Sequence, residues 1–450
     1  MVRRREAMMI RRAGKHAVVL GAGMGGLLTA RALADFYDRV TLVERDDLSG
    51  EGPDGPRRGV PQGFHAHALL PRGLRIIEEL FPGVTEEMVA AGAVSYEMIV
   101  HLRMIMGGHE FARTPTGERG ISATRPFLER HVLGRVRALP TVTVRDRSQV
   151  TGLMTDDSSG TARVAGVRIA AAGRAGADEE LPADLVVDVM GRGGRTLAWL
   201  ETMGFERPEE EVVKVEVSYA TWYLRLPEGS MKDRLVLVGT YPGQPKGVAL
   251  CQVEGDRWLA TLGGNAGAPA PADPADFFAW VDEVVPAEVA AVVRAAEPLG
   301  EIGLARIPAS VRRHYERLTR FPEGLLVAGD ALCNFNPIYG QGMSVAALEA
   351  SAMRECLREG TEGLARRYFT AAAKALDPAW QLSTGADLAA RDTGVPMTPQ
   401  ARFMDAYVRR LQRAASHDAE AAVAFTRVTG LLDPPSALMR PSVMWRVLRG

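Results

Sequence analysis

The sequence predicts a mixed α/β (α+β) chain. A Rossmann-like domain is laid down in discontinuous pieces, a β-sheet domain is inserted between them, and the C-terminal region is helical. Three observations predict this. An apolar run enters a glycine-rich turn at HAVVLGAGMGG (His16–Gly26), and a second apolar run enters Gly-Asp at GLLVAGDALCNFNPIYGQGMS (Gly324–Ser344). Between them, stretches of alternating polar and apolar residues separated by Gly and Pro have the period of half-buried strands.

Ala17–Leu20 is continuously apolar, as expected of a parallel strand covered on both faces. Gly21, Gly23 and Gly26 follow at the dinucleotide-binding spacing, with Ala22, Met24 and Gly25 completing the turn. The first glycine permits the tight turn, the second lets backbone approach phosphate, and the third lets helix and strand pack closely. The next helix is expected to place Leu27, Ala30, Leu33 and Ala34 on one face. Its first N–H groups and its dipole favour a pyrophosphate. A second strand, Arg39–Val43, ends in Glu44 and Arg45. Glu44 stands about twenty residues past the glycines, where a carboxylate accepts hydrogen bonds from a ribose. This unit alone leaves NAD and FAD open.

The second segment favours FAD. Leu325–Ala328 reads as another buried strand, with Gly329 and Asp330 at its carboxyl end, the edge where open α/β sheets bind ligands. Asp330 is suited to accept hydrogen bonds from ribityl hydroxyls. The run from Pro337 through Ser344 opens a helix expected to reach about Leu357. Gly340 and Gly342 leave room for a flat ring, and the amides near Gly342 and Met343 would face its pyrimidine edge. A helix N-terminus stabilises a nearby anion by about 0.3–1 kcal/mol, up to ~2. Since about 1.4 kcal/mol is one pKa unit, this favours an anionic reduced ring.

Four stretches, together with Arg125 in SATRPFLE, carry a family resemblance. They are GAGMGG with VERD (Val43–Asp46), RRGVPQGFHAHALL (Arg57–Leu70), DLVVDVMGRGGR (Asp184–Arg195) and LLVAGDALCNFNPIYGQGMS. On these the chain resembles the single-component flavin monooxygenases of the para-hydroxybenzoate hydroxylase fold. It looks most like the squalene-epoxidase-like branch that includes the polyether epoxidases of monensin and lasalocid biosynthesis. The match spans residues 16–345. It implies FAD, O2, and NADPH or NADH as electron donor. It also implies a lipophilic polyketide, polyene or terpenoid substrate of specialised metabolism, epoxidised or hydroxylated through a flavin C4a-hydroperoxide. Because that chemistry belongs to the flavin, no catalytic side chain is assigned. Arg58, Arg125, Val150 and Gly191 are the further cofactor contacts expected.

One position departs from the pattern: Met190-Gly191 stands where many such hydroxylases carry Asp-Gly. The Asp is implicated in NADPH contacts, so a separate reductase becomes a competing electron source. Three other readings share or border this fold. A flavin halogenase would carry Trp-x-Trp-x-Ile-Pro and a catalytic Lys, whereas Trp258 here begins Trp-Leu-Ala-Thr. A prenyl-chain reductase would saturate double bonds without oxygen. A flavoprotein partner would not turn over at all.

The FAD-binding domain is expected at residues 1–84, 121–198 and 301–370, the substrate-binding domain at 85–120 and 199–300, and the helical region at 371–450. Within them, Thr141–Thr151 and Ala162–Ala170 read as strands, the former passing the adenine, and Ala93–Phe111 reads as a strand pair. Glu216–Leu226, Arg234–Tyr241, Gly247–Val253 and Trp258–Leu262 read as substrate-domain strands. Gly264–Asp276 reads as a connector and Phe277–Ala296 as one helix. His65, Trp222, Tyr241 and Phe335 are the candidate substrate-pocket residues. His65 and His67 lack a third ligand nearby, so no metal is expected.

A net charge of −1 over 450 residues argues against nucleic acid as partner. The three cysteines, Cys251, Cys333 and Cys356, are too widely spaced for a metal site and form no disulfide framework. The basic start MVRRREAMMIRR lacks the apolar core of a signal peptide, and no stretch approaches a membrane span. A soluble cytoplasmic enzyme is therefore expected, its oligomeric state open. In the tail, Phe403, Tyr407 and Leu411 recur at helical spacing. The last helix, MRPSVMWRVLRG, is expected to pack its apolar side on the body, with membrane-surface contact as the competing reading.

Overall fold

The computed structural model describes residues 12–49, 57–156, 162–171, 178–265, 267–389 and 398–449; the basic segment preceding Arg12 lies outside them. A five-stranded sheet runs in the order Leu325–Val327, Leu185–Asp188, Gly14–Leu20, Tyr37–Val43 and Val142–Arg145, and every pairing is parallel. Its strands are short Val- and Leu-rich runs because both faces are covered. The helices Met24–Ala34 and Gly342–Arg358 pack together against it. Parallel pairing brings the carboxyl ends of three strands to one edge. Gly21, the Val189–Gly191 segment and Gly329 therefore meet, although they are distant in sequence.

The expected strand Thr141–Thr151 is two strands. Arg147 takes a positive φ of 48° and breaks it. Val142–Arg145 completes the parallel sheet, while Ser148–Asp156 joins Arg163–Ala171 and Glu179–Pro182 in a three-stranded antiparallel sheet.

The substrate-domain sheet has eight strands, in the order Cys333–Asn334, Glu297–Arg313, Glu210–Arg225, Arg257–Gly264, Lys246–Val253, Leu235–Val238, Leu102–Met106 and His109–Glu110. The 17-residue strand Glu297–Arg313 was not foreseen, and it carries this sheet past the expected boundary at residue 300. Many of its side chains face solvent, which dilutes the apolar alternation that marks a strand. The expected pair within Ala93–Phe111 is also regrouped. Leu102–Met106 and His109–Glu110 form a hairpin, but Val94–Glu97 pairs with Arg119–Ser122. Phe277–Ala296 divides into the helices Pro274–Val284 and Ala287–Arg294. Pro286 disfavours helical backbone at Val285 and cannot donate an amide hydrogen bond, so the first helix stops there. Phe277, Trp280, Val281 and Val289 bury one side of these helices against the sheet.

The tail holds the helices Leu364–Ala389, Pro399–Ala414, Ala419–Thr429 and Pro441–Arg449. Val443 and Val447 pack beside Tyr407 and Leu411, as the amphipathic pattern requires. Trp445 and Leu448 remain 51% and 74% exposed. Phe403 is also exposed, outside the buried stripe that its spacing suggested. No helix among the described residues is long and apolar enough to cross a membrane.

Candidate functional site

A cavity of about 740 Å³ runs from the Gly21–Gly25 turn to the wall of the eight-stranded sheet. It lies toward the upper end of the roughly 300–1,000 Å³ usual for ligand clefts. Gly21, Gly23, Met24, Gly25, Glu44, Arg45 and Arg125 line its first end. Val150, Gly191, Gly329 and Asp330 line its middle, and Pro337, Gly340, Gly342 and Met343 its far turn.

The glycines divide by role. Gly21 has φ +97°, and a Cβ there would lie 2.8 Å from the Val189 carbonyl oxygen. A Cβ on Gly26 would meet the Gly21 carbonyl oxygen at 1.8 Å, so Gly26 permits helix–strand packing and does not reach the cavity. Gly23, by contrast, has only the ends of Glu129 and Arg125 near it, at 3.9 and 4.0 Å, which leaves space for a ligand against backbone.

The charged groups at this end form a linked set. Glu44 Oε2 accepts from the Ala22 N–H at 2.8 Å and pairs with Arg57 Nη1 at 3.0 Å, while Oε1 accepts from Asp46 N–H at 3.1 Å. Arg57 Nη2 also donates to the Ala22 carbonyl at 2.7 Å and to Glu129 Oε2 at 3.2 Å. Glu129 Oε1 accepts from Met24 N–H at 3.2 Å and Arg125 Nε at 3.0 Å. Ala22 thus acts through its backbone, tied to Glu44.

Arg57 is the inward arginine of its loop. Arg58, expected to touch the cofactor, is exposed and outside the cavity wall. Arg125 opens the helix Arg125–Arg137, which Thr124 caps by accepting from Phe127 N–H. Its Nη1 donates to His67 Nε2 at 3.2 Å. His67 must then carry its hydrogen on Nδ1, which lies 2.9 Å from the His65 carbonyl. Burial, reinforced by Arg125, lowers the His67 pKa to about 3. Its neighbour His65 turns away, with Nδ1 2.8 Å from Thr221 Oγ1. The two imidazoles therefore serve separate partners. Among the described residues no group of three or more His, Cys, Asp or Glu is placed to hold a metal ion.

At the far turn, Gly340 is left-handed at φ +63° and packs against Ala68. Gly342 and Met343 open the helix Gly342–Arg358 at the cavity. Ser344 lies one step too deep: its Oγ accepts from Leu70 N–H at 3.0 Å, anchoring the start of a neighbouring helix instead of facing the cavity. Beneath Gly329 and Asp330, buried Glu349 Oε2 accepts from Gly329 N–H at 2.5 Å. Asp188, two residues before Met190, accepts from Met190 N–H and Thr196, so it does not replace the missing Asp.

The cavity continues over the eight-stranded sheet, past Leu237, Val238, Val248, Thr261, Ile338 and Phe335. Of the expected pocket residues, His65 and Phe335 line it. Trp222 does not. It packs edge-on against Phe277 on the other face of the sheet and donates to the Gly300 carbonyl at 2.9 Å. Tyr241 lies just past the strand Leu235–Val238, in a tight turn with Gln244, outside the wall. Tyr219 and Tyr339, which were not foreseen, do line it. Their hydroxyls donate to Asn336 Oδ1 at 2.9 Å and Asp387 Oδ1 at 2.8 Å, tying the helical region to the far turn. Glu129 had a legible signal, four residues past Arg125 on one helix. Arg57 stood in the Arg57–Leu70 stretch with no sign that it, and not Arg58, turns inward; Thr221 and Thr261 had no signal.

These residues fit FAD. The glycine cradle, two helix N-termini and an elongated cavity suit a dinucleotide, and the apolar far wall suits a ring and a second ligand. Comparison with known proteins agrees. The family model described as FAD binding domain matches residues 15–383. Protein Rv3254 of Mycobacterium tuberculosis (strain ATCC 25618 / H37Rv) is 35% identical over 445 residues, covering 95% of this chain and 91% of that protein. The flavin-dependent brominase Bmp2 superposes with a TM-score of 0.66 at 16% identity, covering 97% of this chain and 99% of that one. The p-nitrophenol 4-monooxygenase PnpA from Pseudomonas putida DLL-E4 gives 0.65 at 16% identity, covering 95% and 100%. At such identity the two structures establish shared fold. The family match and the relative establish more: the chain belongs to the FAD binding domain family and is an FAD-dependent oxidoreductase.

Proposed function

We propose that this chain is a monooxygenase that epoxidises or hydroxylates a lipophilic polyketide, polyene or terpenoid of specialised metabolism, in the manner of the polyether epoxidases. The observation that carries the reading is one uninterrupted cavity joining the dinucleotide cradle to an apolar chamber. Reduced FAD, when bound, supplies the electrons and the activation of O2. The protein binds and orients. Gly21–Gly25, Glu44 and Arg125 would hold the dinucleotide end, Asp330 the ribityl chain, and the amides of Gly342 and Met343 the ring. Leu237, Val248 and Phe335 exclude water and hold the carbon to be oxidised close to the ring. No lysine lines the cavity among the described residues, which supports oxygen transfer over halogenation. NADPH or NADH is proposed as donor. Met190 in place of Asp makes a partner reductase the alternative, and the cytoplasm is the proposed compartment.

The test is to reduce the FAD-loaded protein under 18O2 with candidate polyenes and to follow the label by mass spectrometry. One 18O atom per product is expected. A saturated, unlabelled product formed without O2 would instead identify a prenyl-chain reductase. A chloride-dependent product would identify a halogenase, and no reductant-dependent O2 uptake would leave a non-turnover flavoprotein.

A further inference from the structure

His65 joins a hydrogen-bond chain that runs through Thr221 and Thr261 to the Ala66 amide. Thr221 and Thr261 are direct cross-strand partners, with hydroxyl oxygens 2.7 Å apart. The Ala66 N–H lies 3.1 Å from Thr261 Oγ1, and a backbone N–H only donates, so Thr261 accepts there. In one order Thr261 gives its own hydrogen to Thr221, and Thr221 gives its hydrogen to His65 Nδ1, 2.8 Å away. This order uses the Ala66, Thr261 and Thr221 hydrogens and leaves the imidazole N–H to the cavity. The reverse order uses the His65 hydrogen and leaves that of Thr261, which also lines the cavity, so either order turns one donor toward it. With Nδ1 accepting, a neutral imidazole carries its hydrogen on Nε2. His65 lines the cavity, Nε2 has no protein partner among the described residues, and the rings of Phe64 and Tyr219 flank the imidazole, centroids 6.0 Å away.

We propose that His65 presents Nε2–H to the cavity as a fixed hydrogen-bond donor, positioning a substrate that carries a carbonyl, hydroxyl or ether oxygen. His65 is a specificity-determining residue, not an acid or base. This rests on the apolar chamber being the substrate site, as proposed above, and it narrows the substrate class to lipophiles with an oxygen acceptor. The bulk of the ligand is held by apolar contact, while the single donor selects its orientation.

The first test needs no substrate. FAD-loaded protein labelled with 15N-histidine is recorded in long-range 1H–15N spectra between pH 5.5 and 8, with His65 assigned by its absence in H65Q and, independently, in H65N. The expected result is a neutral Nε2–H imidazole throughout. A wild-type Nδ1–H form, or titration near pH 6.5, overturns the proposal. The second test titrates the same holoprotein with 2-acetylnaphthalene and with 2-isopropenylnaphthalene, which replaces C=O by C=CH2, following the flavin absorbance. Wild type is expected to favour the ketone about tenfold, as one neutral hydrogen bond allows, with the preference kept in H65Q and lost in H65L. Equal affinities in wild type overturn it. Failure of either test leaves the 18O outcome unaffected, so the two readings fail separately.

Discussion

His67 Nε2 lies 3.2 Å from Arg125 Nη1, a geometry that works only while the imidazole is uncharged. Burial holds His67 at about 3 and His65 at about 4, both below the ordinary 6.5. For a base with a depressed folded-state pKa, the unfolded chain binds more protons at low pH. Stability is then fully present above about pH 6.5 and falls as pH drops toward 4 and 3. Two such groups are worth several kcal/mol by pH 4, on the order expected from linkage. H67Q keeps a donor and an acceptor but never titrates. Its urea-unfolding stability should therefore decline less steeply from pH 6.5 to 4 than that of wild type, by about one proton. Parallel declines would refute the neutral seat.

Glu349 sets the opposite limb. Burial, opposed by the Gly329 N–H bond and aided by Asp330, raises its carboxyl to about 8. The folded chain thus binds the extra proton between about 4.5 and 8, and stability falls as pH rises through that window. E349Q keeps the acceptor for Gly329 without a charge to bury. It should melt with wild type near pH 5 and several degrees above it near pH 9. Equal melting temperatures at pH 9 would mean that Glu349 is not held protonated.

The dinucleotide cradle was legible because its requirements are local: glycines at fixed spacing, an apolar strand before them and a carboxylate after. What escaped depends on contacts between distant segments. Nothing in Arg57-Arg58 says which guanidinium turns inward. The choice follows from Glu44, Asp46 and Glu129 converging on one side of the loop. Trp222 was misplaced because alternation along Glu210–Arg225 gives two faces without saying which meets the helices Pro274–Val284 and Ala287–Arg294. Thr221 and Thr261 became visible only through cross-strand register. The break of the helix near Pro286, by contrast, was readable from the proline alone.

The two adjacent arginines should separate cleanly in experiment. Arg57 joins Glu44, Glu129 and the Ala22 carbonyl within 3.2 Å. R57A leaves two buried carboxylates without their shared cation, a loss of about 3–5 kcal/mol for an ion pair broken from one side. FAD affinity should fall at least about tenfold as the Gly21–Gly25 turn loosens. R57K restores charge but not the fork, and should recover only part. R58A should bind FAD like wild type. Flavin fluorescence quenching on titration reads all three, and an R58A defect as large as that of R57A would restore the original assignment.

Glycine substitutions test the packing itself. At Gly26 a methyl group would have to occupy space 1.8 Å from the Gly21 carbonyl oxygen, so helix Met24–Ala34 must shift off its strand. Overpacking of a rigid core typically costs about 1–3 kcal/mol, and this contact involves backbone, which yields less than a side chain. G26A should therefore lie at or beyond the upper end of that range, with FAD binding lost in step because the same shift carries away the amides of Met24 and Gly25. At Gly134, on the exposed side of helix Arg125–Arg137, a Cβ meets nothing within 4 Å. There the alanine gains helix propensity, and G134A should stabilise the protein by about 0.5–1 kcal/mol without altering FAD affinity. Chemical unfolding of both variants beside wild type supplies the comparison. A G26A protein that unfolds like wild type would show that the helix does not seat against the Gly21 turn as described.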